Sequence, residues 1–313
     1  MARERLRVAT RGSDLARWQA SWVARRLGEA HPGLDTELVL VETSGDLRRD
    51  VPIPELGGQG VFVKEVQGAV ADGRADVAVH SAKDLPSVAT AGLHLAAIPV
   101  RGDPRDALVG CRLADLPDGG VVATGSVRRQ AQLAARRPDL VFVGLRGNIG
   151  TRLARADAFD AIVVAAAALH RLGLEAHIAE TLPPEVMLPQ VGQGALAVEC
   201  RSADAATRAL LAVIDDLDAR VAVEAERGFL ARLGGGCDLP VGAHATVDSD
   251  GVVTIEGVVA SHDGQLVLRH RGEGSADSPG ELGAALADRL LHRARGTSLL
   301  EALGGGGRPT APT

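Results

Sequence analysis

The chain has no tyrosine, four phenylalanines and two tryptophans among 313 residues, and Lys64 and Lys83 are its only lysines. Aromatic residues make up 2% and the formal charge is −6. A nucleic-acid binder needs a basic face or rings on which bases stack, and this composition argues against both. Long apolar runs are missing too. The longest, residues 161–169, is far too short to span a bilayer. The opening Met-Ala-Arg-Glu-Arg lacks the apolar stretch of a signal peptide. The expectation is a soluble cytoplasmic protein without a membrane partner. Cysteine is sparse: Cys111, Cys200 and Cys237 show no metal-ligand spacing and form no disulfide framework. A special cysteine here is special for its reactivity. There is no P-loop, no dinucleotide glycine pattern in a βαβ context, no zinc-protease histidine pair and no nucleophile elbow.

What is present is ample apolar material, 46% of residues, in a length that predicts two or three domains. Residues 6–10 read as a strand, and Gly12-Ser13-Asp14 as the start of a helix. That helix carries Leu15, Trp18, Trp22, Val23 and Leu27 at helical spacing, and both tryptophans are expected in the core. A strand at 37–43, a Gly/Pro-rich loop at 44–60, a helix at 61–72 and a strand at 76–80 follow. A second set begins near Asp106, with strands at 121–123, 140–143 and 160–164, a helix capped by Ser126 and another near Gly150. This rhythm predicts α/β domains with largely parallel sheets. The remainder differs: a helix at 217–233, strands near 241–247, 252–260 and 265–271, and a helix at about 280–295 predict a smaller α+β domain with an antiparallel sheet.

Four clusters could carry chemistry. His80-Ser81-Ala82-Lys83-Asp84 follows a predicted strand, where α/β sheets present functional groups. Lys83 offers a cation for carboxylates and Asp84 an anion for a developing cation, although the pair reads equally as a solvated ion pair. Arg11, Arg128, Arg129, Arg146 and Arg152 lie near strand ends and helix starts. A cation there opposes the helix dipole unless an anion accompanies it, and helix starts offer N–H groups to anions. Together they read as a polyanion site, singly as ordinary surface. Gly234-Gly235-Gly236-Cys237 puts a cysteine in a loop with little steric cover, either a reactive thiol or a plain turn residue, whereas Cys200 sits in an apolar strand. Val191-Gly192-Gln193-Gly194-Ala195 is a glycine-rich turn before that strand.

The motifs Ala9-Thr10-Arg11-Gly12-Ser13-Asp14-Leu15-Ala16, Gly60-Val61-Phe62-Val63-Lys64-Glu65, Ala78-Val79-His80-Ser81-Ala82-Lys83-Asp84-Leu85-Pro86 and Asp103-Pro104-Arg105-Asp106-Ala107 occur in that order. They are followed by Gly125-Ser126-Val127-Arg128-Arg129-Gln130, Leu145-Arg146-Gly147-Asn148-Ile149-Gly150-Thr151-Arg152-Leu153, Val191-Gly192-Gln193-Gly194-Ala195 and Gly235-Gly236-Cys237. The whole series, spanning about residues 5–300, resembles the porphobilinogen deaminase (hydroxymethylbilane synthase) family.

The resemblance implies three domains. Two are periplasmic-binding-protein-like α/β lobes with a cleft between them, residues 1–99 with 195–213 and residues 100–194. The third, 214–300, is the smaller α+β domain, and 301–313 is a flexible tail. It also implies a transferase that condenses four porphobilinogens, with loss of ammonia, into the linear tetrapyrrole hydroxymethylbilane of haem biosynthesis. The primer would be a dipyrromethane cofactor joined to Cys237 through a thioether. Asp84 matches the family's catalytic aspartate. Lys83, Asp84, Ser81, Thr124, Ser126, Arg128, Arg129, Arg146 and Gly147 match cofactor-binding positions. Arg11, Ser13, Phe62, Arg146, Arg152, Arg171 and Gln193 match substrate-binding positions. No metal is implied, the family is usually monomeric, and the downstream partner is uroporphyrinogen-III synthase.

Three positions depart from the pattern: Ser44, Glu55 and Gln59 stand in the 44–60 loop where several relatives carry basic residues, and Arg48 and Arg49 offer replacement charge. Two other readings use the same residues. One is a non-catalytic two-lobed anion-binding protein, which gives Cys237 no adduct. The other is a Schiff-base enzyme on Lys83, which the neighbouring Asp84 opposes by raising the amine pKa.

Overall fold

The computed structural model describes residues 5–43, 63–234, 239–292 and 298–299. Ser44, the rest of the 44–60 loop with Glu55 and Gln59, Phe62, Cys237 and the 301–313 tail lie outside the described residues.

Strand β1 (Arg5–Arg11) buries Leu6 and Val8 completely. The Ser13 hydroxyl accepts the Ala16 amide and caps helix α1 (Asp14–Ala30), as its sequence predicts. The inward stripe of α1 is Gln19, Ala20, Val23, Ala24 and Leu27. Trp18 and Trp22 fall beside that stripe and stay partly exposed; Trp22 packs against the core as expected, whereas the expectation that Trp18 is a core residue is corrected. Each ring also lies beneath a guanidinium, Trp18 under Arg171 and Trp22 under Arg26.

Strand β2 (Asp35–Val41), helix α2 (Lys64–Ala71), strand β3 (Val77–Ser81) and strand β4 (Leu93–Ala97) follow. Next come β5 (Asp106–Val109), β6 (Val121–Ala123), α3 (Val127–Ala134), β7 (Val141–Val143), α4 (Ile149–Leu153), β8 (Ala161–Ala165), α5 (Ala166–Leu172) and β9 (Ile178–Leu182). The chain continues with β10 (Leu196–Arg201), α6 (Ala205–Leu211) and α7 (Leu217–Leu233). It closes with β11 (Val241–Val247), β12 (Val252–Ala260), β13 (Val267–Ser275) and α8 (Pro279–His292).

These strands make three sheets. Two have five strands, in the orders β2-β1-β3-β10-β4 and β7-β6-β8-β5-β9, and the third is the meander β11-β12-β13. In the first, β1 pairs with β2 and β3 in parallel and β10 runs antiparallel to both neighbours. In the second, β6 pairs in parallel with β7 and β8, and β5 is the antiparallel strand. Parallel strands need crossover connections, which the helices supply.

By contact the chain divides into two compact units. The first is Met1–Asp103 with Ala167–Leu174 and Gln193–Arg220, and it holds the first sheet. Its core sets Val23 and Leu27 of α1 against Leu6, Val8, Val77, Val79 and Val198. The second unit holds the other two sheets. Leu108, Val122, Leu133, Val163 and Leu182 pack its five-stranded sheet, and Phe229, Ile255, Leu286 and Leu290 fill the space between the meander, α7 and α8.

Candidate active site

In the first unit β1 and β3 are neighbours and parallel, so the residues that follow them emerge at the same end of the sheet. Arg11 ends β1, Ser13 caps α1, and Ser81 ends β3. A single 3₁₀ turn, Ala82–Asp84, follows, its start fixed by the Ala82 amide donating to the Ala195 carbonyl at 3.0 Å. The result is a cavity of about 60 Å³ lined by Arg11, Ser13, Gln19, His80, Ser81 and Asp84, with Val63, Val79, Leu15 and Ala16 as its apolar walls. The structure thus brings four residues singled out from the sequence, Arg11, Ser13, Ser81 and Asp84, around one space. Gln19 is a further polar lining group that sequence reasoning missed. It is buried on α1 and its Nε2 donates to Ser81 Oγ at 2.9 Å. Its place in the inward stripe was a signal: a glutamine among core positions needs a partner.

Gln193 belongs to the same unit and is fully buried. Its Oε1 accepts from Lys83 Nζ at 3.4 Å, and its carbonyl accepts from Arg101 Nε at 3.0 Å. The next carbonyl, Gly194, accepts from the Gly102 amide at 3.0 Å and from Arg171 Nη2 at 2.6 Å. Gly194 has φ +86° and a Cβ there would lie 2.5 Å from the Gly102 carbonyl oxygen, so only glycine fits. The glycine-rich turn is therefore a crossing of two backbones on which Lys83 and Arg171 converge. Burial pushes the Arg171 guanidinium pKa down to about 10, and among the described residues no carboxylate pairs with it.

The second unit holds the other arginines. Ser126 caps α3 through the Arg129 amide, and Thr124 Oγ1 accepts the Ser126 amide at 3.2 Å. Arg128 and Arg129, in the first turn, are 3% and 5% exposed. Both guanidiniums grip the fully buried Asp106 of β5. Arg128 Nη2 donates at 2.8 Å, and Arg129 Nη2 and Nε donate at 2.7 and 3.0 Å. They also donate to the Leu188 and Val163 carbonyls. The anionic partner that the helix dipole demands is thus supplied from within the chain. Two cations still face one carboxylate. Burial pushes the Arg128 pKa down, Asp106 opposing and Arg129 adding to the fall. Arg128 Nε is buried without a hydrogen-bond partner in the structure.

Arg146 and Gly147 lie in an exposed turn before α4, which Asn148 caps. Gly147 has φ +110°, and a Cβ there would strike the Thr151 side chain at 2.7 Å. Arg152 Nε folds back to the Gly147 carbonyl at 2.9 Å. Cys200 is buried in β10 and burial pushes its thiol pKa up, so it is a poor nucleophile.

Comparisons with known proteins bear on this arrangement. Residues 6–209 match the family described as "Porphobilinogen deaminase, dipyromethane cofactor binding domain", and residues 220–292 match "Porphobilinogen deaminase, C-terminal domain". The chain is 49% identical over 298 residues to a porphobilinogen deaminase of Syntrophotalea carbinolica, covering 94% of each protein. Among solved structures it is similar to the methionine binding protein MetQ, with a TM-score of 0.44 and 13% identity over 67% of this chain and 90% of that one. It is also similar to the VFT2 domain of Bordetella pertussis BvgS, with a TM-score of 0.41 and 20% identity over 67% of this chain and 86% of that one.

Proposed function

Because the chain belongs to the porphobilinogen deaminase family, we propose that Asp84 is the catalytic carboxylate of a stepwise condensation of four porphobilinogens to hydroxymethylbilane. The observation that carries this reading is the cavity where Asp84 meets Arg11, Ser13 and Ser81. Loss of ammonia from porphobilinogen leaves a cation delocalised over the pyrrole. A carboxylate fixed by a 3₁₀ turn in a half-enclosed, partly apolar cavity stabilises such charge better than water does. Asp84 is also placed to take and return the protons that each addition moves. Arg11 and Ser13 are donors for the acetate and propionate groups of the ring.

The dipyrromethane cofactor, when bound, supplies a primer with a nucleophilic terminal pyrrole carbon. The residues present fit such a polycarboxylate. Arg128 and Arg129 share one carboxylate, and Arg128 Nε is buried and unpartnered. We assign Arg128, Arg129, Arg146, Gly147, Thr124, Ser126, Ser81 and Lys83 to holding the cofactor, and Phe62, Arg152, Arg171 and Gln193 to the substrate. Cys237 carries the thioether. The three-domain partition 1–99 with 195–213, 100–194 and 214–300, a cytoplasmic monomer and supply of product to uroporphyrinogen-III synthase belong to the same reading.

The test is intact mass with peptide mapping, followed by turnover. The wild-type chain should carry two porphobilinogens less two ammonias on Cys237, and Cys237→Ser should lack that mass. Asp84→Asn should keep the fold and the mass and lose nearly all turnover, because a neutral amide does not stabilise the cation. Near-normal turnover in Asp84→Asn, or a wild-type chain that stays bare after incubation with porphobilinogen, would sink the reading.

A further inference from the structure

Trp18 stands apart from the core of the helix that bears it. It is partly exposed, its face is turned to a cation, and that cation comes from a distant part of the chain. Arg171 Cζ lies 5.8 Å from the centroid of the Trp18 ring. The same guanidinium donates through Nη2 to the Gly194 carbonyl at 2.6 Å. Space around it is limited, since a Cβ on Gly102 would come within 3.5 Å of Nη2. Arginine has five N–H donors, and this arrangement engages one of them with the backbone. A guanidinium held by both an indole face and a carbonyl is fixed in plane and orientation, and a flat ring achieves this without supplying a competing negative charge.

We propose that Trp18 is a positioning residue for the condensation: its ring fixes the Arg171 guanidinium against the Gly194 carbonyl and so presents the remaining donors to a carboxylate of porphobilinogen. This rests on the assignment of Arg171 to the substrate. Trp22 provides an internal contrast. It also lies beneath an arginine, Arg26 at 6.0 Å, but Arg26 is exposed and bonds Glu29 on the same helix. That pair closes on itself and has no donor to offer a substrate.

Steady-state kinetics on the cofactor-loaded protein separate the possibilities. Trp18→Leu should raise KM for porphobilinogen about tenfold, the size of a desolvated cation–π contact, and leave kcat within twofold. Trp18→Phe, which keeps a π face, should stay within about threefold of wild type. The Trp18→Leu/Arg171→Gln double variant should have the KM of Arg171→Gln alone, because residues acting through one another are not additive. A second measurement needs no turnover. In a Trp22→Phe background Trp18 is the sole indole, and its emission maximum should move when Arg171→Gln removes the charge above it. If Arg171→Gln leaves KM unchanged, the assignment of Arg171 fails and takes the proposal with it. If Arg171→Gln raises KM while Trp18→Leu does not, the assignment stands and the role of Trp18 is overturned. A Trp18→Leu protein with lowered Tm and unchanged KM, or an emission maximum that Arg171→Gln does not move, overturns it as well.

Discussion

Two buried guanidiniums share the Asp106 carboxylate, and three charge-assisted hydrogen bonds hold them there. Removing that charge leaves Arg128 and Arg129 facing each other in a site that neither can leave without breaking backbone contacts. Breaking a buried pair by deleting one partner costs about 3–5 kcal/mol. Asp106→Asn should therefore lower the unfolding free energy by that amount, read as a lower denaturation midpoint at unchanged m-value, and a change under about 1 kcal/mol would show that the pair is not buried in solution. At this scale much of the site was legible. Arg128 and Arg129 stand where a helix dipole requires an anion, and Asp84 follows a strand where α/β folds present chemistry. The identity of the anion was not legible, because Asp106 reaches the arginines only through the register of β5 beside β8. Trp18 was misjudged for a similar reason. A tryptophan at helical spacing reads as core unless one knows that Arg171 arrives beside it from a distant helix.

The start of α1 and the strands β11 and β12 were read almost to the residue, because a serine cap and short β-rich runs between turns are local signals, whereas β13 runs from Val267 to Ser275, beyond the expected 265–271. Strands β4 and β9 were not read. Leu-His-Leu-Ala-Ala and Ile-Ala-Glu-Thr-Leu are short and lie at sheet edges, where only one neighbour constrains them. The cap of α4 was hidden as well, since Asn148 sits between two glycines that suggest only a turn. Helices α7 and α8 were both expected, at 217–233 and about 280–295, and glycine decides how they pack. Gly283 in mid-helix suggests a weak helix, yet its bare backbone lets α8 approach α7 so closely that a Cβ would overlap the Ala225 carbonyl and lie 2.7 Å from the Phe229 amide. An alanine there should gain up to about 1 kcal/mol in helix propensity. Overpacking against backbone, which cannot rotate away, costs about 1–3 kcal/mol. Packing should win, so Gly283→Ala should lower the thermal midpoint. A stabilised variant would mean that the helices are further apart than the structure places them.

At the scale of the whole molecule, the two five-stranded sheets share one plan. In each, three parallel strands are followed by a fourth position filled by a strand that runs the other way. In the second sheet that strand, β5, opens the set, and all five strands lie within one stretch of chain. In the first sheet it is β10, which follows the entire second sheet in sequence. Strand β10 pairs with both β3 and β4, and without it β4 has no partner in its sheet. Its residues Leu196, Val198 and Cys200 also complete the core beneath α1. A chain of 1–103 thus carries four of the five strands but not the one that joins them. Long-range pairing of this kind forms only after the intervening chain is made, at a cost in loop closure that local contacts do not offset. The fragment 1–103 should therefore lack the dispersed amide spectrum of a folded domain, and a second fragment, 193–220, added in excess should restore it. A fragment 1–103 that is cooperatively folded alone would place the stability of the first unit in β1, β2, β3 and their helices, and would make β10 an addition to a finished domain rather than the strand that joins β4 to it.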